Sequence, residues 1–211
     1  YISEVRDCYA KVRQFSYTVP GETPVFVECK SATPEENKVT LTASTATAPS
    51  NQLRGVYFCN DVEEETGHRN VTPYDANTMR VLGRAADGRL AFITNKNIKY
   101  IPANNAYLTV PTGSPETIYV VKDFNTEIEH GEHAGPNNSG DYYKAADGKK
   151  GAALKTALCG VIYNREEGGD LSTAYKALWT HFMTTDAKPN GKVWDMYSNK
   201  VEFEFGTNQD T

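Results

Sequence analysis

Residues 150–164, Lys150-Gly151-Ala152-Ala153-Leu154-Lys155-Thr156-Ala157-Leu158-Cys159-Gly160-Val161-Ile162-Tyr163-Asn164, decide how this chain divides. Leu154, Leu158, Val161 and Ile162 recur at steps of three and four, the apolar stripe of an amphipathic helix. Asp147-Gly148 precedes the stretch as a cap signal, and Gly168-Gly169 ends it. A second helix is predicted over Thr173–Thr184, with Ser172 or Thr173 as N-cap and Tyr175, Leu178, Trp179 and Phe182 on one face. Pro189-Asn190-Gly191 then turns the chain into Val193–Tyr197, and Val201–Phe205 alternates as a strand.

Upstream, the period is different. Short apolar or alternating runs recur over Tyr9–Tyr17, Pro24–Cys29, Lys38–Ala43, Leu53–Phe58, Arg80–Leu82, Leu90–Thr94, Ala106–Val110 and Thr117–Val121. Pro20-Gly21, Pro34, Pro49, Asp87-Gly88, Pro102 and Pro111 punctuate them, which favours many short strands over a parallel sheet. Asp87-Gly88 is the best hairpin signal. Between the two regimes, residues 125–140 are rich in Glu, His, Gly, Asn and Pro and offer little to bury. The predicted fold class is therefore α+β: an antiparallel β-sandwich over 1–124, a linker over 125–140 and a small, mainly helical segment over 141–211.

The chain has 211 residues and a net charge of −5. Residues 1–125 carry 13 basic and 14 acidic groups and residues 141–211 carry nine and ten, so neither half has a bulk electrostatic footprint for nucleic acid. No apolar run reaches the roughly 18 residues a membrane span needs. The sequence opens on Tyr1-Ile2-Ser3-Glu4-Val5, already strand-like, which suggests a piece of a larger protein. Cys8, Cys29, Cys59 and Cys159 lack the close pairs of a zinc site. Cys8 and Cys29 could pair in an oxidising compartment; buried free thiols are the alternative.

The segment Tyr142-Tyr143-Lys144-Ala145-Ala146-Asp147-Gly148-Lys149-Lys150-Gly151-Ala152-Ala153-Leu154-Lys155-Thr156-Ala157-Leu158 resembles the opening of endonuclease I-type secreted nucleases. In that family a Tyr-Tyr pair and a Gly precede a helix beginning Leu-Lys-Thr-Ala-Leu. Ala174–Trp179, Thr185-Asp186 and Val193–Ser198 are similar to later blocks of the family, in the same order. The resemblance covers residues 141–206. It implies a phosphodiester-cleaving activity on DNA or RNA with a divalent metal, Mg or Ca, in the complete nuclease. It also implies a catalytic Arg-Glu-His run shortly after Gly206. Arg165-Glu166 is followed by Glu167, so no catalytic residue is carried over, and no cofactor is expected in this chain alone. The first half resembles β modules of Bacteroidetes surface and secreted proteins, through Val19–Val27, Leu53–Phe58, Val81–Gly83 and Ile101–Leu108.

These resemblances imply a secreted or cell-surface protein. The leading expectation is part of a secreted metal-dependent endonuclease. The alternative is a non-catalytic adhesion or assembly module that binds surface or matrix components or another chain. Lys149, Lys150 and Lys155, near a helix start, are candidates for phosphate contact; a solvated helix face is the other reading. His130 and His133, with Glu127, Glu129 and Glu132, have metal-ligand residue types, but a solvated linker explains them as well. Trp179 and Phe182 read as core, and stacking on bases is the alternative for them and for Trp194.

Overall fold

The computed structural model describes residues 1–15, 18–43, 45–57, 71–122, 139–165 and 167–184. Nine short strands come first: β1 Ile2–Val5, β2 Tyr9–Val12, β3 Leu53–Val56, β4 Val71–Pro73, β5 Met79–Arg84, β6 Leu90–Ile93, β7 Tyr100–Pro102, β8 Asn105–Thr109 and β9 Thr117–Val121. Three helices follow, α1 Ser139–Ala146, α2 Gly151–Asn164 and α3 Ser172–Thr184. The fold is α+β and rich in β structure.

Seven strands form one mixed sheet in the order β1-β2-β9-β6-β5-β8-β3, while β4 pairs only with β7. The sheet curls until its outer strands approach: Gln52 N–H donates to the Ile2 carbonyl at 2.8 Å, and Ile2 N–H donates to Asn51 Oδ1 at 3.2 Å. All pairings are antiparallel except β2 with β9, where Tyr9, Ala10 and Lys11 run parallel to Tyr119, Val120 and Val121. The expected antiparallel arrangement is corrected at that seam. A sandwich's second sheet is represented among the described residues only by the β4–β7 ribbon.

The two-residue strand period sorts the apolar side chains into two cores. Ala10, Phe92 and Ile118 point into the curl with Ile2, Leu53, Leu108 and Val110. Their immediate neighbours Tyr9, Ala91 and Tyr119 point outward, and there they meet Leu154, Leu158, Ile162 and Leu178 from the helices. The apolar stripe read from the sequence is thus buried against the β region. At the curl's edge Arg80, 1% exposed, is held by four carbonyls, Pro115, Ala76, Met79 and Ser114, at 2.8–2.9 Å. Burial lowers its pKa, and the carbonyl cage compensates much of the lost hydration.

The predicted strands at Pro24–Cys29 and Lys38–Ala43 are not strands. Their apolar residues Val27, Val39 and Leu41 are 69%, 78% and 93% exposed, so the alternation has no neighbouring strand to reward it. Both helices predicted from periodicity are present, and α1 joins them. Their caps differ from expectation. Lys150 occupies the N-cap of α2 without a side-chain cap. Asp170 takes the capping role at α3, with its Oδ1 accepting from Ser172 N–H at 3.0 Å. The linker over 125–140 lies almost wholly outside the described residues, as do Val193–Tyr197 and Val201–Phe205.

Candidate functional site

The family-like segment begins with α1 and α2, and a dense seam fixes both to the sheet. Cys8 at the start of β2 is disulfide-bonded to Cys159 of α2, 151 residues away, with both sulfurs fully buried. Cys29 is exposed and free, so the Cys8–Cys29 pairing is corrected, as is the buried-thiol alternative for Cys8, Cys159 and Cys29. Cys59 lies outside the described residues. Around the disulfide, Cys8 N–H donates to the Gly169 carbonyl at 2.9 Å and Leu171 N–H to Asp7 Oδ2 at 3.0 Å. Glu116 N–H donates to Thr156 Oγ1 at 2.6 Å.

Gly169 is required there. Its φ is +84°, and a Cβ would fall 2.3 Å from Tyr9 Cδ2. The Tyr163 ring stacks on Tyr119 at 4.2 Å and meets Tyr9 edge-on at 5.9 Å, with the Arg89 guanidinium 4.4 Å from its centroid. Burial and the nearby Asp87 carboxylate push the Tyr119 hydroxyl up to about 12.

Arg165 and Glu167 are part of this scaffold, and Glu166 lies outside the described residues. Arg165, at the C-cap of α2, pairs with Asp141 at 3.0 Å and Glu167 at 3.5 Å. Tyr142 donates its hydroxyl to Glu167, and burial together with that carboxylate raises the Tyr142 pKa well above the usual phenol value. A phenol held neutral and a guanidinium already paired with two carboxylates serve structure better than proton transfer. Sequence reading missed this knot because Tyr142 and Glu167 are 25 residues apart.

The lysine candidates are only partly gathered. Lys149 and Lys150 sit on the exposed turn before α2, and Lys149 Nζ donates to the Ala145 carbonyl at 2.9 Å. Lys155 is half-buried within α2, whereas Lys150 is its N-cap, in extended conformation. His130 and His133 lie outside the described residues, as do Trp194 and the side chains of Trp179 and Phe182. Among the described residues no three His, Cys, Asp or Glu side chains are grouped to hold a metal ion. The described residues thus offer no ligand set for the divalent metal of the resembled nucleases.

A second feature, which the sequence did not signal, is a cleft of about 360 Å³ beside β3, the last strand in the sheet order. Glu22, Pro24, Pro49, Arg54, Tyr57 and Tyr107 contribute to its lining. Its only sequence trace is Gly55-Val56-Tyr57, a spacing common to many strands. Among the described residues no helix is long and apolar enough to cross a membrane. No protein-family model, curated protein or solved structure matches this chain.

Proposed function

We propose that this chain is part of a secreted metal-dependent endonuclease that hydrolyses phosphodiester bonds of DNA or RNA. Residues 141–206 supply the opening of the nuclease domain, and the β region is its rigidly attached companion. The observation that carries this reading is the ordered set of family-like blocks, Tyr142–Leu158, Ala174–Trp179 and Val193–Ser198. Tyr142, Leu154, Leu158 and Leu178 from those blocks are buried, which gives the pattern a folding reason independent of any catalytic one. The Cys8–Cys159 disulfide supports a secreted or surface setting, since such bonds persist in oxidising compartments. Hydrolysis at phosphorus needs a metal ion and an activated water, and in this reading the groups that supply them belong to sequence beyond these residues.

The test is a plasmid and RNA cleavage assay with Mg²⁺ or Ca²⁺, run on the 211-residue chain and on the same chain extended past Thr211. The reading expects no cleavage by the first and chelator-sensitive cleavage by the second. Chelator-sensitive cleavage by the 211-residue chain would contradict the placement of catalysis. An inactive extension that carries an intact Arg-Glu-His run would contradict the nuclease assignment itself.

A further inference from the structure

We infer that the peptide bond between Lys38 and Val39 is a site for endoproteolysis by a protease of trypsin-like specificity, and that the cut chain stays one disulfide-linked body. The inference stands on the segment before β3 and on the Cys8–Cys159 bond, and does not depend on the nuclease reading.

An endoprotease binds its substrate in extended form, and the bound chain offers its backbone groups to the enzyme as an added strand does. A scissile bond must therefore lie where the backbone is not already engaged, with several accessible residues beyond it. Residues 38–43 meet both conditions. All six are exposed, Val39 at 78% and Leu41 at 93%. None belongs to a helix or strand, and none makes a hydrogen bond among the described residues.

The residues just before them contrast. Residues 31–37 form a turn gathered around Asn37, whose Nδ2 donates to the Ser31 and Thr33 carbonyls at 2.8 and 3.0 Å. Its Oδ1 accepts from Ser31 N–H at 3.2 Å, and Asn37 N–H donates to the Pro34 carbonyl at 3.0 Å. That bracing ends at Lys38. Residues 18–43 contain two lysines and no arginine, and the bond after Lys30 has its amide already held by Asn37. Lys38 therefore presents the accessible bond, and its ammonium suits the acidic pocket by which trypsin-like enzymes select their substrates. Hydrolysis takes up one water: its oxygen ends on the Lys38 carbonyl carbon, the C–N bond breaks, and Val39 leaves with a new α-amino group.

The fold keeps the two pieces together. Residues 1–38 carry β1 and β2, and residues 39–211 carry the other seven strands and all three helices. Across the cut, β2 still pairs with β9, Tyr9 beside Tyr119. Ile2 and Ala10, with Phe26 packed against them, remain in the core inside the curl, and Tyr9 remains in the core beneath the helices. The Cys8–Cys159 disulfide adds a covalent tie between the pieces. Residues 38–43 belong to neither core, so opening the chain there removes no buried contact.

Limited digestion of the full 211-residue chain with trypsin tests this, read by intact mass and amino-terminal sequencing. A new amino terminus at Val39 is expected to appear at least about a hundred-fold faster than one at Gly55. The bond between Arg54 and Gly55 is the internal reference, because Arg54 is exposed but its strand is paired, Arg54 opposite Tyr107. Without reductant, residues 1–38 should stay linked in sodium dodecyl sulfate to the piece that carries Cys159; with dithiothreitol they should separate. Lys38→Gln should abolish the Val39 terminus while leaving the far-UV circular dichroism unchanged. The inference is overturned if the Val39 terminus appears no faster than the Gly55 terminus, if cleavage after Lys30 comes first, or if residues 1–38 separate in detergent without reductant.

Discussion

Two regions of this chain carry apolar side chains and meet opposite fates. At the seam between β2, β9 and α2, the side chains on the helix-facing side find partners across it: Tyr9 and Tyr119 meet Tyr163, and Val121, with Ala91 of β6, joins Leu154 and Leu158 in one core. Between β2 and β3, residues 18–43 carry Val27, Val39 and Leu41 in strand-like alternation and leave all three exposed. Alternation proposes a strand, and a neighbour with free backbone groups and an apolar face must ratify it. The seam also has ties that do not depend on area, a disulfide and a loop bonded to the β1–β2 turn. The stretch before β3 is braced chiefly where Asn51 and Tyr57 hold it, and that is where the cleft forms.

The contrast can be broken at the seam first. Cys8→Ser with Cys159→Ser opens a loop of 151 residues, and chain entropy sets the expected loss at about 4–5 kcal/mol in urea denaturation. A loss within experimental error would mean that the packing, not the cross-link, holds the helices. Leu158→Ala leaves a cavity in a fully buried site and should cost about 3 kcal/mol in the same measurement. Gly169→Ala should cost about 2–3 kcal/mol, because it sets a Cβ against the Tyr9 ring at a left-handed position; a neutral result would show that the 168–171 loop is free to shift.

Smaller effects sharpen the picture. His181 stacks on Tyr143 at 4.3 Å, and partial burial lowers its pKa below 6.5. The folded state therefore binds this proton more weakly than the unfolded state. The associated stability is complete above pH of about 6.5 and declines as pH falls through the unfolded value toward the folded one. A urea midpoint that falls as pH drops below 6.5, with that fall reduced in His181→Gln, is the expected signature. Val27→Ser and Leu41→Ser should change stability by no more than about 0.5 kcal/mol; a loss above 1 kcal/mol would show that the exposed stretch is covered in solution.

The helices were legible in the sequence because their signal is local: Leu154, Leu158 and Ile162 announce a buried stripe within three turns. The β-rich character of the first half was legible for the same reason, through turn residues and the Asp87-Gly88 hairpin between β5 and β6. Sheet order was not, because β2 pairs with β9 and β3 with β8 across long stretches of chain. The disulfide was hidden likewise, since cysteine pairing is decided by which residues the fold brings within reach. The candidate site was least legible. The lysines near the start of α2 stood out by composition; Lys149 and Lys150 are exposed ahead of the helix and Lys155 is half-buried within it. The cleft beside β3 was not signalled either, since its Tyr57 hydroxyl meets a Glu22 carbonyl 35 residues earlier.

The central structural claim is that the β region and the helices form one body, with the core of residues such as Tyr9, Tyr119, Leu158 and Leu178 continuous across residues 123–138 in sequence. The direct measurement is urea unfolding of the oxidised chain, followed at once by helical circular dichroism at 222 nm and by the near-ultraviolet signal of the packed tyrosines. The account predicts coincident transitions with one midpoint. Two separated transitions, with the helical signal lost while the tyrosine signal persists, would contradict it.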